Sequence, residues 1–193
     1  EIFEILRFKR ESWKIMGYIL IGIIPAALVG FFLSDFIEST LTSYLLIGFF
    51  FLFTGIVVFL TKFVKSSNKD LSKRNVFFIG LMQALALFPG VSRSGMTIST
   101  SLFLGIDKER AVKFSFLMFI PLAVGAFILE LMKYPDEIAN IPILTLTMSF
   151  IVCFMLSLLF LNALNYIVKT NKFWVFGIYC LFISAVSFIL YIF

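Results

Sequence analysis

The sequence predicts an all-α integral membrane protein with five transmembrane helices and one re-entrant helical hairpin. Three observations predict it: apolar runs of membrane-crossing length, a Pro-Gly break inside a sixth apolar region, and a one-sided distribution of Lys and Arg. Apolar residues make up 61% of the chain, with 27 Phe among 193 residues and a mean hydropathy of +1.07. Soluble domains use roughly 45–50% apolar residues, so a soluble fold of this size does not fit.

The expected spans are Ile15–Leu33, Tyr44–Thr61, Phe114–Met132, Ile143–Val168 and Phe173–Phe193. Each is of about the 17–25 residues that carry a helix across a hydrocarbon core of roughly 30 Å. A further apolar region, Val76–Gly105, is interrupted at Pro89-Gly90. If that region enters and leaves by one face, the loops fall into two sets. One set holds Arg7, Lys9, Arg10 and Lys14, then Lys62, Lys65, Lys69, Lys73 and Arg74, then Lys108, Arg110 and Lys113, then Lys169 and Lys172. The other holds Lys133 alone, with Asp35, Glu38, Asp136 and Glu137. Cytoplasmic loops carry the excess of Lys and Arg, so the basic set is expected inside and Val76–Gly105 is read as re-entrant. A full crossing would move Lys108–Lys113 to the opposite face and spoil the sorting.

The basic balance does not point to nucleic acid, because the Lys and Arg residues sit in short inter-span loops that topology explains. Cys153 and Cys180 lie inside apolar spans without C-x-x-C spacing and read as small buried hydrophobes. Apolar spans recur to the last residue, so none reads as a removable signal peptide. The stretch 65–70 is a polar inter-span loop, and residues 1–193 form one membrane domain.

Chemistry concentrates in Pro89-Gly90-Val91-Ser92-Arg93-Ser94-Gly95-Met96-Thr97. Non-helical backbone at membrane depth is tolerated only where protein or a watery cavity surrounds it. Pro89 removes a donor and breaks the helix, while Gly90 and Gly95 permit close approach of a ligand to the backbone. A half-helix beginning near Ser94–Thr97 would aim its free amides and positive dipole end into the break, an arrangement that suits phosphate. Arg93 adds a planar, permanently charged fork that matches phosphate oxygens in pairs. Ser92, Ser94 and Thr97 add hydroxyls, and Thr97, Thr100 and Ser101 share one helix face. Each hydroxyl taken singly is more often a cap or packing group, whereas a charge at membrane depth costs roughly 2.5–3.5 kcal/mol and is by default functional. The alternative for Arg93 is an ion pair with Glu130 or Asp107. Gln83 either lines the same cavity or bonds a neighbouring helix.

The run Gln83-Ala84-Leu85-Ala86-Leu87-Phe88 leading into Pro89 through Ile98 resembles the second signature of bacterial undecaprenyl-diphosphate phosphatases, the BacA/UppP family. Phe114-Ser115-Phe116-Leu117, Pro121, Ile24-Pro25-Ala26 and the closing aromatic helix extend the resemblance over essentially the whole chain. It implies a fold that is part of an inverted-repeat bundle, with residues 1–75 the remainder of a first repeat and 76–193 a second repeat containing the hairpin 76–105. It implies hydrolysis of a polyprenyl diphosphate lipid to the monophosphate, which recycles the carrier for cell-wall synthesis and underlies bacitracin resistance. It places Ser92, Arg93 and Thr97 in the catalytic site, and Gln83, Gly90, Ser94 and Gly95 are the candidate substrate-binding residues around them. Mg²⁺ or Ca²⁺ is the implied cofactor, the bacterial inner membrane the implied location, and a homodimer a possible assembly.

The family's first signature, with two glutamates, serines and a histidine, has no counterpart here. The chain contains no His, and Glu1 and Glu4 lack the surrounding pattern. A chain lacking one N-terminal hairpin and one span is therefore expected, with the acid/base group and the metal ligands outside it and little activity on its own. The competing reading is a non-hydrolytic lipid-phosphate carrier or flippase, since broken helices near the midplane are also transporter features.

Overall fold

The computed structural model describes residues 10–40, 43–65, 67–135 and 141–192. Seven α-helices run through them: α1 Arg10–Thr40, α2 Tyr44–Leu60, α3 Lys73–Leu85, α4 Arg93–Phe103, α5 Lys108–Lys133, α6 Ile143–Lys169 and α7 Val175–Ile192. A 3-10 turn, Thr61–Phe63, extends α2. Five segments are long and apolar enough to cross a membrane, at Trp13–Leu33, Tyr44–Phe63, Lys108–Lys133, Ile143–Lys169 and Val175–Ile192. The chain is thus an all-α, multi-pass membrane protein, and the spans fall where the sequence puts them. Of the expected loop charges, Arg7, Lys9, Asp136 and Glu137 lie outside the described residues, as do Glu1, Glu4 and the last residue of the final span.

The broken apolar region forms two short helices, α3 and α4, packed against each other. Ser72 caps α3 by accepting from the Asn75 amide at 3.2 Å, so the first arm starts before Val76. The second arm ends at a Schellman turn: Gly105 takes φ +81, its amide reaches Leu102 O at 2.9 Å, and the Ile106 amide reaches Ser101 O at 3.0 Å. The two feet then touch, because the Lys69 amide donates to Gly105 O at 3.1 Å. The excursion from Lys69 to Ile106 returns to its own starting point.

Two ion pairs gather the neighbouring loops at the same end. Arg110 binds Asp70, and Lys169 Nζ lies 3.0 Å from Glu109 Oε2. Residues from the second, third and last of the basic loops therefore share one end of the molecule. The α6–α7 connection is a second Schellman turn with Asn171 at φ 58, which tucks Phe173 into the core. That burial starts α7 at Val175, two residues later than the apolar run suggests.

Inside lipid, helix association depends on close packing and interhelical hydrogen bonds more than on apolar burial. α2 and α7 make the most extensive helix pair, and Ser184 Oγ donates across it to Gly48 O at 2.7 Å. α1 crosses α3 with backbones in contact: a Cβ on Gly80 would stand 2.2 Å from Gly22 O. The core joins α3, α4 and α5 through Val76, Ile79, Ile98, Phe114 and Met118. α6 lies to the side and touches mainly α5; Val168 is its one buried residue.

Candidate functional site

The site is the turn between the two arms of the hairpin. After Leu85 the amides of Ala86, Leu87 and Phe88 still reach back to Gln83, Ala84 and Leu85 carbonyls at 3.1–3.2 Å, and helix then gives way. Phe88-Pro89-Gly90-Val91 closes as a β-turn, with the Val91 amide 3.1 Å from Phe88 O and Gly90 at φ +88. Pro at the second position and a positive-φ Gly at the third are the residues a type II turn requires. A side chain on Gly90 would also meet Ile47 O, Phe50 Cβ and Phe51 Cδ2 at 3.1 Å, so the turn lies flat on α2.

Ser92 is the N-cap of α4, and its hydroxyl accepts from the Gly95 amide at 3.1 Å. The second half-helix thus begins at Arg93, slightly before the expected Ser94–Thr97. The Ser92 amide is taken by Thr54 Oγ1 and the Met96 amide by Ser92 O. The amides of Arg93 and Ser94 have no partner among the described residues. Two free donors at the positive end of a helix remain for an anion.

Arg93 does not pair with Glu130 or Asp107. Asp107 caps α5, accepting from the Glu109 and Arg110 amides at 3.0 and 3.3 Å. The Arg93 guanidinium instead donates from Nη2 to Gln83 Oε1 at 2.7 Å and lies with Cζ 4.5 Å from the centre of the Phe119 ring. Such a ring contact contributes about 0.5–2 kcal/mol. Neither neighbour carries charge, so the cation is oriented without being neutralised. Its Nε is buried and unpartnered, and so is Nε2 of Gln83, a residue only 1% exposed.

Thr97 stands one turn further in and is fully buried. Its hydroxyl donates to Arg93 O at 3.0 Å and shares a 2.5 Å hydrogen bond with Ser115 on α5. Ser101 Oγ donates to Thr97 O at 2.7 Å, and Thr100 is buried beside it. The polar face of α4 is therefore turned into the bundle. Ser92, Ser94 and Gly95 border a cavity of about 320 Å³ whose remaining wall is apolar and aromatic and includes Phe51, Val58, Phe176 and Tyr179. The turn thus brings Ser92, Ser94 and Gly95 to the cavity, while Arg93 leans on Gln83 and Phe119, Gly90 lies against α2, and Thr97 is set behind.

The family model for bacitracin resistance protein BacA matches residues 1–186. The chain belongs to the BacA family. Among similar BacA-family proteins, the undecaprenyl-diphosphatase of Thermosipho melanesiensis is 41% identical over 190 residues, covering 96% of this chain and 73% of the relative. That of Christiangramia forsetii is 36% identical, covering 98% and 74%, and that of Methanococcus vannielii 37%, covering 100% and 77%.

Three BacA-site contacts were not legible from residue type. Thr54 reads as a hydroxyl in an apolar helix, Phe119 as one Phe among 27, and Ser115 as part of a Phe-Ser-Phe run that carries the family resemblance but shows no contact with Thr97. Among the described residues no three His, Cys, Asp or Glu side chains gather into a metal site.

Proposed function

We propose that this chain works as an undecaprenyl-diphosphatase, cleaving the terminal phosphoanhydride of a polyprenyl diphosphate with water to give the monophosphate lipid and inorganic phosphate. The observation that carries the reading is the unspent donor set at the α3–α4 turn: the buried Arg93 Nε and the free amides of Arg93 and Ser94. Phosphoryl transfer is driven mainly by positioning and by stabilising charge on the transferring oxygens. Arg93 supplies a bidentate fork, the α4 amides a fixed positive dipole end, and Ser92 and Ser94 hydroxyl donors. Thr97 acts from behind, holding Arg93 O and Ser115. Gln83 aims the guanidinium. Gly90 lets the turn lie against α2, and Gly95, which borders the cavity, leaves room beside Ser92. The names carried by the BacA-family relatives support this substrate class.

The hairpin Val76–Gly105 is proposed to be re-entrant, with the basic loops cytoplasmic in a bacterial inner membrane. The meeting of its feet at Lys69 and Gly105 supports that topology. Mg²⁺ or Ca²⁺ belongs to the same proposal as the counter-charge of the diphosphate, but no step is assigned to it on the described residues. The test is to purify the protein in detergent and measure undecaprenyl-diphosphate binding against undecaprenol, together with phosphate release with and without Mg²⁺. Preference for the diphosphate is expected, with little phosphate release from residues 1–193 alone and more once a segment carrying the family's first signature is added. Tight binding without release in both preparations would assign the chain to the carriers instead.

A further inference from the structure

A buried hydroxyl outside the signature holds the signature turn in place. Thr54 lies midway along α2 and is fully buried. A helical threonine ordinarily returns its hydroxyl to the carbonyl one turn back in its own helix. Thr54 instead donates from Oγ1 to Gly90 O at 3.1 Å and accepts on the same oxygen from the Ser92 amide at 3.2 Å. One oxygen therefore spans both peptides around Val91, 36 and 38 residues along the chain.

Those two peptides set the direction of everything that follows. Gly90 is the positive-φ residue of the turn, and Ser92 is the cap from which α4 starts. Arg93 is the next residue, and its amide and that of Ser94 are the free donors. Fixing Gly90 O and the Ser92 amide on a rigid helix leaves the turn little freedom to rotate those donors away. The clamp also accounts for the two groups that a helix break would otherwise leave unpaired in an apolar interior.

We propose that Thr54 is a positioning residue for the diphosphate site: it touches no substrate and sets the orientation of the Ser92–Ser94 backbone and of Arg93. The proposal rests on the functional reading above. Thr54→Val keeps the shape and removes both hydrogen bonds, Thr54→Ser keeps the hydroxyl, and Thr54→Cys keeps a weak donor and acceptor.

The experiment uses the whole chain in detergent with farnesyl diphosphate and farnesol as probes. Three quantities are read for each variant: amide exchange of peptides covering 88–96, affinity for both probes, and the melting temperature. Thr54→Val should speed exchange across the turn and weaken farnesyl diphosphate by about tenfold, the size of one or two net hydrogen bonds. Farnesol affinity should stay unchanged, Thr54→Ser should bind like the parent, and Thr54→Cys should fall between, which keeps the test alive if the valine variant does not fold. Faster exchange and earlier melting with undiminished diphosphate affinity would make Thr54 merely structural and overturn the proposal. A parent protein that does not distinguish the diphosphate from farnesol would bring down the functional reading itself, and this proposal with it.

Discussion

Gln83 and Arg93, on opposite arms of the hairpin, share a hydrogen bond of 2.7 Å in which the amide oxygen accepts from the guanidinium N–H and leaves its charge in place. Gln83→Glu keeps the shape and replaces that neutral acceptor with a carboxylate. The variant should fold, since a buried ion pair replaces a charge-dipole bond, and should lose diphosphate affinity by about tenfold or more as the cation is spent internally. Equilibrium binding beside thermal unfolding checks it; unchanged binding would show that Arg93 does not face the head group.

Arg93 itself separates a phosphate ligand from a structural cation. Arg93→Lys retains charge and loses the planar fork, so the fold should survive while the site weakens. Each charge-assisted hydrogen bond lost costs about 1.5–3 kcal/mol. Arg93→Ala should be worse, and Lys133→Ala, remote in sequence and on the other loop set, should bind normally. Normal binding and hydrolysis in both Arg93 variants, with early melting, would mark a structural residue.

The meeting of Lys69 and Gly105 predicts a topology. Single cysteines at Lys69 and Lys108, in a background with Cys153 and Cys180 replaced, should both react with an impermeant thiol reagent applied from the cytoplasmic side. Labelling from opposite sides would make Val76–Gly105 a full crossing.

The α1–α3 crossing predicts where a single methyl is intolerable. Gly80→Ala would drive a Cβ against the Gly22 backbone, which has no rotamer with which to yield. The cost is at least the roughly 1–3 kcal/mol of overpacking, read as a lower melting temperature. Gly17→Ala on α1, with no atom within 4 Å of the new methyl, should be close to neutral.

The spans and the helix break were readable because their signals are local. Apolar length marks a crossing, and Pro89-Gly90 cannot continue a helix whatever surrounds it. Arg93 and Gln83 stood out as polar residues in apolar surroundings, but their mutual bond did not, because a carboxylate is the usual partner to look for. Thr54 was invisible for a related reason. A threonine in a membrane helix normally satisfies itself, and nothing in the sequence near position 54 shows that its partners lie in a turn that forms only after α3 folds. The same holds for Thr97 and Ser115, whose bond depends on how α4 leans on α5.

The position of Thr54 before the hairpin also sets an order of assembly. Chains are inserted from the N-terminus, so α2 is already in the bilayer when residues 86–92 leave the ribosome. The hydroxyl that will hold the turn is therefore waiting as a template, and the turn can dock as it emerges instead of lingering with bare peptide groups in lipid. α7, the main partner of α2, is made after the hairpin and packs along α2 later. A nascent chain halted after α4 should already hold its phosphate-facing turn in the mature shape, well before the bundle around it is complete.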